Sequence, residues 1–106
     1  MTTPAELPSL LEAFFIKRLM TQRNVSQNTI ASYRDTFRLL LQFAHKRLGR
    51  SPSKLKVQDL DASLVGAFLD EVEHKRANSA RTRNLRLTAI RSFFSFVALE
   101  LPEHQL

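Results

Sequence analysis

Residues 81–96 read RTRNLRLTAIRSFFSF, and this stretch governs the interpretation of the whole chain. It contains four arginines and no acidic residue, and it ends in a cluster of three phenylalanines. Read as a helix, it can anchor one face in a core through its aromatic rings while the rest carries only positive charge. Such a helix suits a polyanion, because each arginine that neutralises a phosphate releases condensed counterions. Nucleic acid is therefore the first partner to consider.

Composition narrows the class of protein. The chain has 106 residues, 43% of them hydrophobic and eight of them Phe, which is enough for one compact domain with a core. A net charge of +6 favours an acidic partner, such as nucleic acid or an anionic membrane surface. The absence of Cys excludes disulfides and thiolate zinc sites, and it fits a reducing compartment. With neither a signal-peptide pattern nor an apolar run of about 20 residues, we expect a soluble, cytoplasmic protein that makes no membrane contact.

The first helix is predicted to begin at Ser9, where Ser9 and Glu12 match a capping box, and to end near Arg23. A start at Thr3 is the alternative, but it would place Pro8 inside the helix and remove a backbone donor. The expected buried stripe of this helix comprises Leu10, Leu11, Phe14, Phe15 and Leu19.

The second helix is predicted to run from Ser26, its N-cap, to about Leu48, with Gly49 as the C-terminal stop. Leu39 and Phe43 lie off its apolar stripe, which implies either a second packed neighbour or an exposed patch used by another protein. The stripe itself comprises Ile30, Tyr33, Phe37, Leu40, Leu41, Ala44 and Leu48.

The third and fourth helices differ in charge. The third is predicted to begin at Asp59 or Asp61, and it is acidic, so we expect it to face away from any nucleic acid. The fourth is predicted to begin at Ser79 and to end near Glu100, before Pro102. The third is expected to bury Leu64, Val65, Phe68, Leu69 and Val72, and the fourth Leu85, Ala89, Ile90, Phe93, Phe94, Val97 and Leu101. No segment reads as a convincing strand, so the predicted fold is all-α.

Two helix starts carry the candidate site. Residues 26–29 (SQNT) and 79–82 (SART) place small hydroxyl and amide side chains beside free backbone N–H groups, and such helix ends favour phosphate oxygens. Ordinary helix capping is the competing explanation for both. Arg83 and Arg86 follow on the side of the fourth helix that becomes apolar farther along. Their guanidinium groups must either pack across a neighbouring helix or project past the core toward a ligand.

Catalysis by this chain alone is not expected. Tyr33 falls in the buried stripe of the second helix, which favours a core ring over a nucleophile. The three His residues form no metal-ligand pattern, and the sequence has neither a glycine-rich phosphate loop nor a nucleophile motif. We therefore predict no catalytic residue, no metal and no cofactor.

The order of these motifs resembles a known family. Ser26, Asn28, Thr29, Tyr33 and Phe37 on the second helix, followed by residues 82–94 on the fourth, resemble the N-terminal core-binding (SAM-like) domain of tyrosine recombinases and phage integrases. The Xer-type recombinases are the nearest in pattern, and the similarity covers about residues 7–101. The resemblance implies a compact four-helix SAM-like orthogonal bundle, in some members with a short fifth helix, that clamps duplex DNA.

The resemblance also implies a division of the chain and a set of partners. Residues 1–8 would be an N-terminal tail, residues 9–101 the core-binding domain, and residues 102–106 the start of a linker. The family's chemistry belongs to a C-terminal catalytic domain of the same parent chain, and residues 45–48 and 74–77 both fail its His-x-x-Arg motif. The expected partners are double-stranded DNA, that catalytic domain and other recombinase protomers on DNA.

The predicted DNA-binding residues come from both arguments. Thr29, Ser32, Thr82, Arg83 and Arg86 match positions where the family touches DNA, and the helix-end argument adds Asn28 and Arg81. Two alternatives remain open. A stand-alone helix-turn-helix regulator is disfavoured because residues 49–60 are too long for its short turn. The other is a helical protein-interaction module whose basic face meets an acidic protein.

Overall fold

The computed structural model describes residues 6–76 and 79–100, and over these residues the chain is all-α. The first helix, α1, spans Leu7–Ala13 and continues directly into a π-helical segment, Phe14–Gln22. Two 3₁₀ turns, Pro52–Lys54 and Val57–Asp59, separate the second and third helices. The remaining helices are α2 (Gln27–Leu48), α3 (Ala62–Arg76) and α4 (Ala80–Glu100). Four helical rods and the predicted fold class are thereby confirmed for this part of the chain.

The start of α1 corrects the sequence-based prediction. The helix begins at Leu7 rather than Ser9, because Pro8 occupies the first turn, where a backbone N–H needs no helical partner. Glu6 is the N-cap and its side chain makes no capping bond, so the capping box predicted at Ser9 does not set the boundary. The amide of Leu7 instead donates to the carbonyl of Leu55 at 3.0 Å, beside a single antiparallel bridge between Glu6 and Lys56.

The π-helical segment was not anticipated from the sequence. Its five-residue spacing is seen in the amide of Arg23, which donates to the carbonyl of Arg18 at 2.9 Å, and in the hydroxyl of Thr21, which donates to the carbonyl of Ile16 at 2.9 Å. Phe14 and Leu19 are both buried at this same spacing. The segment ends at Gln22, which confirms the predicted end of the first helix near Arg23.

The aromatic residues of three helical segments meet in the core. The ring of Phe14 lies 5.6 Å from that of Phe93 and 6.1 Å from that of Phe37, centroid to centroid. Phe37 and Phe93 also contact each other at 5.5 Å, which joins α2 to α4. On the far side of α2, Phe43 lies 5.8 Å from Phe68 of α3. Of the two alternatives for the off-stripe residues Leu39 and Phe43, a second packed neighbour and an exposed patch, the first is therefore correct, and the neighbour is α3.

The core-facing side of α4 differs from the prediction at its start. Ala89, Ile90, Phe93 and Val97 are buried as expected, but Leu85 is 51% exposed and Arg86 only 8% exposed. Since residues 86, 89, 90, 93 and 97 share one helical face, Leu85 lies about 100° away from it. Phe96 is buried, whereas the predicted core residue Phe94 is half-buried. Leu101 lies outside the described residues.

The connection between α2 and α3 is part of the core. Leu55, Val57 and Leu60 are buried, and Arg50 and Asp59 form an ion pair across the connection at 2.8 Å. The predicted stop at Gly49 is confirmed, with a left-handed φ of 69°. Asp61 caps α3, accepting a hydrogen bond from the amide of Leu64 at 2.8 Å. Leu48, predicted in the α2 stripe, is exposed because it lies at the last turn of the helix, beyond its packed neighbours.

Phe93 tests the central packing. Its ring is fully buried and contacts those of Phe14, Phe37 and Phe94. We expect Phe93→Ala to lower the free energy of unfolding by about 3–5 kcal/mol, because it removes a buried ring and leaves a cavity. The measurement is urea unfolding followed by circular dichroism. Phe94→Ala, at a half-buried position of the same helix, is the control and should cost clearly less; equal losses would contradict this packing.

Candidate nucleic-acid interface

The N-termini of α2 and α4 have the same capped structure. The hydroxyl of Ser26 accepts a hydrogen bond from the amide of Thr29 at 3.1 Å, and that of Ser79 accepts one from the amide of Thr82 at 3.3 Å. In each pair the two hydroxyl oxygens also approach each other, at 3.0 Å in α2 and 3.4 Å in α4. Both predicted N-caps are confirmed. Each cap satisfies the third helical amide and leaves the first two exposed.

These two helix ends carry uncompensated positive charge. The amides of residues 27, 28, 80 and 81 make no hydrogen bond within the described part of the chain, and all four residues are exposed. Neither helix has an acidic residue in its first turn. The positive end of each helix dipole therefore has no carboxylate beside it, and an anion can take that place.

Arg83 packs across a neighbouring helix rather than projecting past the core. Its Nη1 atom lies 2.9 Å from a carboxylate oxygen of Asp70 and 2.7 Å from one of Glu73, both on α3. These carboxylates raise the pKa of Arg83 above its ordinary value, first through the hydrogen bond to Asp70 and then through that to Glu73. The acidic residues of α3 thus bind the first turns of α4 and neutralise the charge of Arg83.

Arg86 has an unusual environment for an arginine. It is 8% exposed, and among the described residues its guanidinium makes no hydrogen bond and no ion pair within the usual distance. Burial lowers the pKa of Arg86; the charge of Asp35 opposes this shift and that of Arg76 adds to it. An arginine nevertheless stays cationic at neutral pH. A buried, incompletely neutralised cation therefore lies between α4, α2 and the end of α3.

The predicted site residues fall into two groups. Asn28, Ser32 and Arg81 are exposed, and Thr29 and Thr82 are half-buried. All of these except Ser32 lie in the first turn of α2 or α4, and Ser32 lies one turn farther along α2. Arg83 is half-buried and Arg86 is buried. Tyr33 of α2 and Thr88 of α4 line one cleft, so the two helices lie side by side about two turns beyond their N-termini.

Two further basic residues were missed from the sequence. Arg18 and Arg23 are one π-turn apart, joined by the hydrogen bond between the amide of Arg23 and the carbonyl of Arg18. At α-helical spacing, five residues would turn them about 140° away from each other. The π-turn instead brings both to the same side, next to α4. No α-helical pattern could have signalled this; only a search at five-residue spacing would.

The structure also bears on other site classes. In residues 6–76 and 79–100 no group of three His, Asp or Glu side chains is arranged to hold a metal ion. None of the helices formed by these residues is both long and apolar enough to cross a membrane.

The described chain is an all-α bundle with a basic sequence and two Ser-capped helix ends that lack acidic residues in their first turns. Residues 12–100 match the family model described as phage integrase, N-terminal SAM-like domain. The chain therefore belongs to the family of phage integrase N-terminal SAM-like domains, as the resemblance in its second and fourth helices implied.

Relatives in two bacteria agree with this assignment. The integrase/recombinase y4rC of Sinorhizobium fredii is 57% identical over 98% of this chain and 31% of its own length. The integrase/recombinase y4rD of the same organism is 52% identical over 91% of this chain and 34% of its own. Tyrosine recombinase XerC of Roseiflexus castenholzii is 32% identical over 78% of this chain and 24% of its own. The chain thus spans about a third or less of these relatives. No solved structure matches it significantly.

The contact of Arg83 with α3 predicts energetic coupling between α3 and α4. Arg83→Gln and Glu73→Gln should each lower the thermal midpoint, and the double variant should lose less than the sum, because both single changes break the same ion pair. The coupling should shrink in 1 M NaCl, since this pair is partly exposed. Lys75→Gln, which breaks an exposed pair within α3, is the control. Additive losses would show that Arg83 does not hold the two helices together.

Because Arg86 is buried, replacing it should affect the stability of the fold and the affinity for DNA in opposite directions. Arg86→Met keeps most of the side-chain volume and removes a desolvated charge, so the midpoint of urea unfolding should stay equal or rise. Affinity for a DNA duplex should fall at the same time, because the surface loses part of its positive potential. Lys46→Met, at an exposed position near the end of α2, controls for loss of one charge. A marked loss of stability would show that attraction to Asp35 outweighs the cost of burial.

Proposed function

We propose that this chain is the DNA-binding core-binding domain of a site-specific tyrosine recombinase or integrase. The observation that carries the proposal is the pair of N-termini of α2 and α4, each capped by Ser, each without an acidic residue in its first turn and each with two exposed amides. Membership of the integrase N-terminal family supports it. In this proposal the paired helix ends rest on the backbone phosphates of one duplex.

The roles of the predicted residues follow from their positions. Asn28, Thr29, Ser32, Arg81 and Thr82 border the helix ends and contact DNA directly, through phosphates and a few base edges. Arg83 orients the first turns of α4 by its ion pairs with α3. Arg86 contacts DNA only through its small exposed fraction and otherwise supplies positive potential beneath the surface.

The distribution of charge fits this arrangement. Asp70, Glu71 and Glu73 lie together on α3, where two of them neutralise Arg83 and the third pairs with Lys75. The acidic side chains of α3 are therefore taken up by ion pairs, whereas α2 and α4 carry several basic residues outside the ion pairs of the described chain, among them Arg34, Arg81 and Arg91. A polyanion is attracted to these two helices, and the attraction falls steeply with salt.

The clamp and the chemistry belong to a longer protein in this proposal. The chain spans 31% of its y4rC relative, so two thirds of a full-length homologue lie outside it. A C-terminal catalytic domain would hold the opposite side of the duplex and carry out strand exchange in DNA integration or recombination. Other protomers would occupy neighbouring half-sites. Because an isolated half-clamp buries less DNA than the whole, it should bind weakly and with low sequence preference.

One observation favours the alternative of a helical protein-interaction module. A largely apolar groove of about 530 Å³ runs between the start of α3 and the middle of α4, lined in part by Val65, Leu87 and Phe94. Half-buried apolar side chains of this kind are suited to a partner protein. The charged residues that line the groove are one arginine, Arg91, and one aspartate, Asp61, so it carries no net positive charge to attract a polyanion.

Amide NMR during titration with a generic duplex of about 20 base pairs tests the proposal. Shifts should include residues 28–32 and 81–86 at low salt and should fade at moderate salt, because phosphate contacts dominate. An unchanged spectrum at low salt would refute DNA binding by this domain and favour the interaction module.

Matched cap variants sharpen this experiment. Ser79→Asp and Ser79→Asn are both good N-caps, so both should keep α4 intact. Only the aspartate places a negative charge where a phosphate would bind, and it should abolish most of the shifts near residue 81 while the asparagine preserves them. Equal binding by the two variants would show that this cap is structural alone.

A further inference from the structure

A polar cleft lies between the π-helical segment, the start of α2 and the middle of α4. Its volume is about 410 Å³, which exceeds that of a phosphate and can hold a phosphate with its attached sugar. Its polar lining comprises Arg18, Arg23, Tyr33, Thr88, Ser92 and Ser95. No carboxylate is among the described residues that line it. Two cations and four hydroxyls without an acid form a donor set that suits a phosphate group.

The guanidinium of Arg18 is held in position. Its Nε atom donates to the side-chain oxygen of Gln22 at 2.9 Å, and its Cζ atom lies over the ring of Phe96, 5.6 Å from the centroid. No acceptor among the described residues takes a hydrogen bond from its two terminal nitrogens. A guanidinium held at Nε and by an aromatic ring offers those nitrogens as a pair of donors for phosphate oxygens.

The four hydroxyls are equally uncommitted. Those of Tyr33, Thr88, Ser92 and Ser95 make no hydrogen bond to any described residue, in contrast to Thr36, whose hydroxyl donates to the carbonyl of Ser32 at 3.1 Å. The ring of Tyr33 is fixed by stacking on Phe14 at 6.4 Å, so its hydroxyl is carried on a rigid support. A ligand here gains hydrogen bonds without breaking any within the protein.

The π-turn brings the two cations together. Arg18 and Arg23 share the side next to α4 because they are five residues apart in a π-helix. π-Helical turns are rare and recur at functional sites. Arg23 is exposed and has no ion pair in the described part of the chain, so its charge is available.

We propose that this cleft seats one phosphodiester group of the DNA backbone, beside the contacts made by the helix ends. The inference rests on the proposed DNA-binding function and adds a specific seat to it. Thr88 is seven residues beyond Arg81 on the same side of α4, a rise of about 10 Å, and Tyr33 is four residues beyond Thr29 on the same side of α2, about 6 Å. The cleft therefore continues the faces that carry Arg81 and Thr29 along both helices, toward the next phosphates of the same duplex.

Salt-dependent binding of the intact chain to a 20-base-pair duplex is the test. The logarithm of the association constant falls with the logarithm of salt concentration by about 0.9 per neutralised phosphate. If both arginines bind one phosphodiester group, the double variant Arg18→Gln/Arg23→Gln should bind more weakly. Its slope should also be less steep by about 0.9, the contribution of one phosphate. Lys46→Gln, which removes a cation near the far end of α2, should keep the wild-type slope.

A second variant protects the test against loss of packing at Arg18. Ser95→Asp adds a carboxylate at an exposed position of the cleft without touching the core, so it should weaken binding while leaving the thermal midpoint unchanged. Gln42→Glu adds the same charge on the exposed side of α2, away from the cleft, and is its control. Equal affinities for these two variants, or an unchanged slope in the double variant, would overturn the proposal.

Two further measurements distinguish failure of the proposed DNA-binding function from failure of the proposed phosphate site. If the wild-type chain does not bind the duplex at low salt, the proposed function itself fails. If it binds but NMR shifts at residues 18, 92 and 95 appear only with inorganic phosphate and not with the duplex, the cleft is not a seat for the DNA backbone. Shifts at these residues with the duplex that are lost in Ser95→Asp would support the proposal.

Discussion

The ring of Phe14 is the contact on which the rest of the bundle depends. It lies within 6.4 Å of the rings of Tyr33, Phe37, Phe93 and Phe96, and so joins the first helix to α2 and α4 at one point. Aromatic pairs of this geometry add directional preference to the burial of apolar area. Because α2 and α4 contact each other through Phe37 and Phe93 in the same cluster, the relative position of their N-termini is set from within the core.

Because the core fixes these helices, a small domain can present several anion-binding groups that lose little conformational entropy on binding. The capping serines and the guanidinium of Arg18 are each held by a neighbour: Thr29, Thr82, Gln22 and Phe96. The acidic residues are drawn onto α3, where they bind Arg83 instead of opposing the helix ends. Stability and electrostatic polarity therefore arise from the same set of contacts.

Local signals in the sequence predicted the helices and the N-caps, because Ser26, Ser79 and Gly49 act within a single turn. They did not predict features that depend on a partner helix. Leu85 is exposed and Arg86 is buried because the contacts of Phe93 with Phe14 and Phe37 decide which face of α4 lies in the core. Likewise, the start at Leu7 depends on Leu55, far along the chain. Of the candidate site, the helix ends were predictable and the cleft was not.

The π-helical segment has a consequence for how sequences of this fold can diverge. A π-turn closes its hydrogen bond over five residues instead of four, so it amounts to one extra residue accommodated within a helix. Removing one residue among positions 15–17 would restore the α register, with both ends of the helix still able to join their neighbours. It would also turn Arg18 away from Arg23, because five residues of α-helix separate two side chains by about 140°. One insertion or deletion in this helix, without any change of side-chain type, is thus enough to create or erase the pairing of the two cations.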